Sequence, residues 1–300
     1  MANSKNNRSR RRSPRDRRPQ YVAPVLDPTW QNPYAPSPSE RATNVAALRV
    51  ALRKRSLPAV VACAVLGAAS CALPSVGLVV GPLLLALAVG VFLFFSRRLW
   101  RAESDATRIG HDLVARFQPG GSSRDRARLN TIVERLAATF GLDHVSCFVV
   151  NDPVANAALL RSEGAYVLLV TDTLLDTFEL IELEGVVAHL MARERLGLLD
   201  RRTLAVTAPG LSDEARRSLA GNGLAYRADE VAAAAIRYPL GLSGALARSL
   251  AGPVPAQSYF ATPAFQRERW VWFNPHVDGQ ALEDFDVDHP LVRSRALAEW

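Results

Sequence analysis

Cysteine is nearly missing from this chain. Three in 300 residues, at Cys63, Cys71 and Cys147, are too few and too scattered for a disulfide framework, and none has metal-ligand spacing. Cys63 and Cys71 lie in apolar sequence, where a thiol behaves as a small hydrophobe. Cys147 sits in a strand-like run. The chain has no Gly-x-Ser-x-Gly elbow, no Walker loop and no Cys-x-x-Cys. Serine-hydrolase, P-loop and thioredoxin-type chemistry therefore find no support. Lysine is scarce beside abundant Ala, Arg and Leu, a composition that points to a GC-rich bacterial genome. Charge of either sign is absent from Leu57 to Phe95.

That uncharged run exceeds the about 20 apolar residues of one membrane span and is long enough for two short helices. Pro74-Ser75-Val76-Gly77 divides it with a turn signal. The pattern predicts a transmembrane helical hairpin over residues 57–96, from Pro58–Leu73 and Val76–Phe95. The first half, short and Ala-rich, suits a full span or a re-entrant element. The run starts too far from the N-terminus and is too long for a cleaved signal peptide. Basic residues flank both ends, Arg49, Arg53, Lys54 and Arg55 before it and Arg97, Arg98 and Arg101 after it. Positive charge on both sides places both termini in the cytoplasm, so the expected location is the inner or plasma membrane, with a multi-pass topology.

The net charge of +7 comes from one end. Residues 1–20 hold Lys5 and seven arginines against Asp16. Residues 131–300 hold 15 Arg against 22 Asp and Glu, so the body is acidic. Residues 1–40, rich in Arg, Ser, Pro and Asn, are expected to be disordered. Arg10, Arg11 and Arg12 lie in a run suited to anionic lipid. No aromatic is interleaved there, so a stacking platform for nucleic acid is not supported. Residues 41–56 read as a basic juxtamembrane helix and 97–128 as a linker helix.

The remainder, 129–300, reads as an α+β domain, mainly helical with a small β-sheet. Leu129, Ile132, Val133, Leu136 and Phe140 recur at helical spacing, and Gly141 closes that helix. Val145–Val150 and Ala165–Val170 are β-rich and predict strands. Helices are expected over about 176–199, 212–220, 225–237 and 243–250. Trp270 and Trp272 alternate like one face of a strand. An acidic loop and a final short helix from His289-Pro290 follow.

Glu182-Leu-Glu-Gly-Val-Val-Ala-His189-Leu190-Met191-Ala192-Arg193 has the frame of a zinc-peptidase helix, in which His-Glu-x-x-His places two ligands one turn apart with a general base between them. Here the base position is Leu190 and the second ligand position is Arg193. Asn156-Ala157, Val167-Leu-Leu-Val-Thr171-Asp-Thr-Leu174-Leu175, Arg227-Ala228-Asp229, and His289-Pro290 with Arg295 stand in order around it. Together they resemble the HtpX-like membrane zinc peptidases, relatives of the CAAX prenyl proteases (metallopeptidase family 48), over Leu129 to Trp300. The resemblance implies a zincin-like domain with a cleft lined by His189, Arg193, Asp229, Asn156, His289 and Arg295. It places the third metal ligand at Ala225.

Only His189 of the implied ligands survives. A guanidinium stays protonated, alanine offers no donor, and leucine takes no proton. Catalytic zinc needs about three protein ligands plus water, so no cofactor is expected. Two readings of the helix remain open at this point. Arg193 pairs with Asp229 and stands in for the metal, or His189 is a hydrogen-bonded core residue and Arg193 a surface charge. The expected function is a membrane-anchored pseudopeptidase that binds a membrane-protein client or a partner protease. The alternatives are an active zinc metalloendopeptidase of membrane-protein quality control, and a structural membrane protein whose basic tail grips lipid or nucleic acid.

Overall fold

The computed structural model describes residues 36–70, 77–117, 123–162, 164–207, 223–250, 252–277 and 289–300. The fold is α+β. Helices α1 (Pro38–Ser70) and α2 (Gly77–Arg116) pack on each other as a long hairpin. Then follow α3 (Ser123–Phe140), β1 (Val145–Val150), β2 (Ala157–Ser162), β3 (Ala165–Thr171), α4 (Asp172–Thr177), α5 (Leu180–Arg195) and α6 (Leu198–Thr207). The rest holds α7 (Leu224–Ile236), α8 (Pro239–Arg248), α9 (Pro263–Glu268) and α10 (Pro290–Ala298), with 3-10 turns at Tyr259–Ala261 and Arg269–Val271.

The sheet runs β1-β3-β2, with β1 parallel and β2 antiparallel to β3. Alternate residues of a strand face opposite sides, and both faces are covered. Val149, Ala157, Leu159, Leu168 and Val170 share one core with the apolar stripe of α3 and with α5. Val150, Ala158, Leu160 and Leu169 share the other with Leu113 of α2, Phe260, Phe265 and Trp272. Helix α5 contributes to the first core along most of its length. It is buried from Glu182 through Glu194 except at Glu184, and it packs against α7 and α8. Its contact with α8 is backbone-close, since a Cβ on Gly185 would lie 2.8 Å from the Leu242 backbone.

Several boundaries differ from expectation. The juxtamembrane helix and first apolar segment form one helix, with Pro58 inside α1. An interior proline removes one hydrogen bond and does not always end a helix. The linker helix expected over 97–128 is the continuation of α2 only as far as Arg116, and α3 takes over from Ser123. Helix α1 begins at Pro38, within the stretch expected to be disordered. Ser37-Pro38-Ser39-Glu40 carries an N-terminal proline and an acidic first turn, both helix-start signals, and Glu40 N–H donates to Ser37 O at 3.0 Å.

Strand β2 is not predicted from the sequence because Ala157-Ala-Leu-Leu-Arg-Ser162 has low β propensity; pairing with β3 makes it a strand. The single helix expected over 176–199 is three, broken at Phe178–Glu179 and at Gly197, whose φ is +71°. Residues 269–271 turn instead of extending, and only Trp272 bridges β2, at Ala158. The helix expected over 212–220 and the acidic loop lie outside the described residues.

The upper hairpin displays apolar side chains outward. Leu57, Val61, Val65 and Leu66 of α1 and Val79, Leu83, Leu87, Val89, Phe92, Leu93 and Phe94 of α2 are exposed. Among the described residues no helix is long and apolar enough to cross a membrane. The side chains of 71–78 and 95–96 fall outside the description, and the stretches 57–70 and 79–94 each stop short of the about 20 residues a span needs.

Candidate functional site

His189, Asp229 and Arg293 meet inside the domain, at 2 %, 2 % and 3 % exposure. Each comes from a different helix: α5, α7 and α10. Asp229 Oδ1 is 2.7 Å from His189 Nδ1. Arg293 grips the same carboxylate with both arms, Nε donating to Oδ2 and Nη2 to Oδ1, each at 2.7 Å. Two parallel charge-assisted bonds make this a strong geometry. Arg293 Nη2 also lies 3.4 Å from His189 Nδ1 and 3.5 Å from Nε2. The Nδ1 partner is a carboxylate, so the ring carries its proton there. The Phe273 ring packs T-shaped against the imidazole, 5.6 Å between centroids.

Burial raises Asp229, but the Arg293 guanidinium outweighs it and holds the carboxyl at about 2. Burial lowers His189 to about 4, aided by Arg293 and opposed by Asp229. At neutral pH the trio is therefore a neutral imidazole, a carboxylate and a guanidinium.

Arg193 is also buried, but it does not pair with Asp229. Its guanidinium reaches the final 3-10 turn, Nη2 donating to Trp270 O at 3.0 Å and Val271 O at 3.3 Å, and Nη1 to Trp272 O at 3.2 Å. A cation capping the carbonyl end of a helical turn is a favourable arrangement. Burial pulls its pKa down to about 9, which leaves it charged at neutral pH. The first reading of the helix is corrected on partner, and the second on Arg193, which is no surface charge. His189 is a hydrogen-bonded core histidine.

The other expected positions separate. Leu190 packs in the main core, and Ala225 is buried one turn before Asp229 on α7. Asn156 is buried as a backbone tie, its Nδ2 donating to Asn274 O and its Oδ1 accepting from Asn274 N–H and Ala157 N–H. His289 is half-buried, caps α10 by accepting from Leu291 N–H, and lies 5.2 Å ring to ring from His276. Arg295 is exposed, which corrects its expected place; Arg293 holds the inward position. Arg97 is exposed, while Arg10, Arg11 and Arg12 and the side chains of Arg53, Lys54, Arg55 and Arg98 lie outside the described residues.

Two features escape the sequence reading. Pro290, Arg293 and Leu297 are the buried residues of α10, and that three-to-four spacing is the signal that identifies Arg293 as inward-facing. The second is the ion network at the base of α1. Arg161 Nε donates to Glu194 at 3.0 Å and its Nη2 to Asp200 at 2.6 Å, with Arg41 3.5 Å from Glu194. Burial raises Glu194 and Arg161 opposes the rise.

The donor set does not fit zinc. His189 and Asp229 are two donors, and one guanidinium lies against both ring nitrogens and both carboxylate oxygens. Among the described residues, no group of three or more His, Cys, Asp or Glu is placed to hold a metal. No protein-family description, curated protein or solved structure matches the chain.

Proposed function

We propose that this protein is a membrane-anchored, HtpX-like peptidase homologue that has lost its reaction and acts by binding a membrane-protein client or a partner protease. The observation that carries the loss of reaction is Arg293. Its fixed positive charge occupies the shared face of His189 and Asp229, where a divalent ion would draw on the same oxygens and nitrogen. The general-base position is a buried leucine and the second ligand position is a cation committed to backbone carbonyls. In this reading the trio joins three helices, and the shape of the domain is what has been retained.

The anchor rests on the uncharged run Leu57–Phe95 and on the outward-facing apolar side chains of the hairpin. Exposed apolar surface of this extent marks an interaction site, and lipid suits an apolar band bordered by basic residues on both sides.

Metal analysis of the purified full-length chain, paired with a peptidase assay, tests the loss of reaction. The expected result is zinc far below one equivalent per chain and no chelator-sensitive cleavage. One equivalent, removable together with peptidase activity, overturns the reading and restores the active metalloendopeptidase. The loss of tail-dependent location or partners on deleting residues 1–20 would instead favour the structural membrane protein.

A further inference from the structure

A recess of about 280 Å³ opens on the side of the domain, lined by the β1–β2 loop, α4, the end of α8 and the loop after it. Its apolar wall is made by Pro153, Val154, Phe178, Val254 and Val277, and its polar wall by Thr173, Thr177, Arg248 and Ser249. They are held in place from behind. The buried Asp152 carboxylate accepts from Val154 N–H, Ser258 Oγ and Tyr259 N–H at 2.8–2.9 Å. Asn274 Nδ2 donates to Ser249 O at 2.6 Å, which fixes the end of α8. Such a recess is pre-formed and loses little order on binding.

Its polar groups are unequally engaged. Thr173 Oγ1 donates to Asp152 O and Thr177 Oγ1 to Thr173 O. Arg248 also lines the recess, and its bonds to Glu182 run through Nε alone, at 3.0–3.1 Å. Among the described residues neither of its Nη groups has a partner. Arg248 is exposed, at the rim of the recess, and these groups form a planar fork that matches a carboxylate. Glu182 already balances the charge on Arg248, which suits a monoanion better than a phosphate dianion. The volume lies just under the about 300–1,000 Å³ of drug-sized pockets and holds one branched side chain.

We propose that this recess binds a small apolar carboxylate of about leucine size, with its carboxylate on the Arg248 Nη groups and its hydrocarbon between Pro153, Phe178 and Val254. A free acid and the C-terminal residue of a peptide share this chemistry. The assignment does not depend on the loss of peptidase activity, since none of these residues belongs to the His189 trio.

Ligand-observed NMR on the full-length chain in detergent, with N-acetyl-leucine, N-acetyl-leucinamide and an alanine peptide ending in free leucine as probes, tests it. The acids are expected to bind saturably and at least about tenfold tighter than the amide, the size of a hydrogen bond to a charged group. A peptide that outcompetes N-acetyl-leucine identifies a chain end as the source; a peptide that binds more weakly identifies the free acid. Arg248→Gln should bring acid and amide to the same affinity, Arg248→Lys should keep part of the preference, and Ala155→Leu, which fills the recess, should weaken every probe. Circular dichroism checks that each variant is folded. Failure of the acids to bind, equal binding of acid and amide to the unaltered chain, or an unchanged preference in folded Arg248→Gln overturns the proposal.

Discussion

Asp229 keeps its charge in the interior because Arg293 is there to meet it. Replacing Arg293 by methionine keeps much of the bulk and leaves the carboxylate with one imidazole N–H. An uncompensated buried charge costs about 3–5 kcal/mol, so Arg293→Met should lower unfolding stability by that amount in urea titrations, while Arg295→Met, at an exposed position, should change it by less than about 0.5 kcal/mol. A larger loss in Arg295→Met than in Arg293→Met would place Arg295, not Arg293, on Asp229.

The same trio makes stability depend on acid. His189 is held at about 4, below its ordinary 6.5, and Asp229 at about 2, below its ordinary 3.8. Both folded values are depressed, so both contributions are complete above the unfolded values and are lost as pH falls. For His189 the loss begins near 6.5 and runs through about 4; for Asp229 it follows below 3.8. The His189 difference corresponds to about 3 kcal/mol. Urea titrations at pH 7 and pH 4.5 should show the fall, and His189→Gln should remove much of it. A His189→Gln profile that parallels the unaltered chain would assign the acid sensitivity to another group.

At the scale of elements, α2 is held to the sheet by a close backbone approach. A Cβ on Gly110 would collide with the Arg161 carbonyl oxygen, whereas one on Gly90 would meet nothing within 4 Å. Gly110→Ala must therefore push α2 off β2, at about 1–3 kcal/mol for overpacking. Gly90→Ala should instead stabilise by up to about 1 kcal/mol, the helix-propensity difference. Thermal unfolding of the two variants side by side checks the sign. Helix α1 is docked by polar contacts, with Arg227 gripping Glu40 at 2.8 and 3.1 Å and Asn44 Nδ2 donating to Leu196 O at 2.9 Å. Partly exposed ion pairs are worth about 1 kcal/mol or less, so Glu40→Gln should loosen α1 without unfolding the domain.

For the whole molecule, the hairpin predicts how the chain partitions. The full-length protein should float with phosphatidylcholine vesicles in a density gradient and stay with them through alkaline carbonate. Leu83→Asp together with Leu87→Asp, both at exposed positions of α2, should release it, because an aspartate at mid-bilayer costs about 3 kcal/mol. Release of the unaltered chain by carbonate would remove the membrane reading.

Periodicity and turn chemistry are enough to place most elements. The Leu129–Phe140 stripe, the Gly141 closure and two of the three strands follow from residue spacing alone, because a helical stripe or β-rich run declares its own period. That Leu190, Arg193 and Ala225 offer no metal donor is equally legible, since side-chain chemistry needs no fold. Strand β2 is not, because Ala157–Ser162 becomes a strand only through its ladder with β3. The partners of the buried charges also wait on the fold. Asp229 and Arg293 are 64 positions apart, and Arg193 meets carbonyls 77 to 79 positions away. Local pattern sets which face of a helix is turned inward; which group it meets there is decided by helices packing together, and only the tertiary structure contains that information.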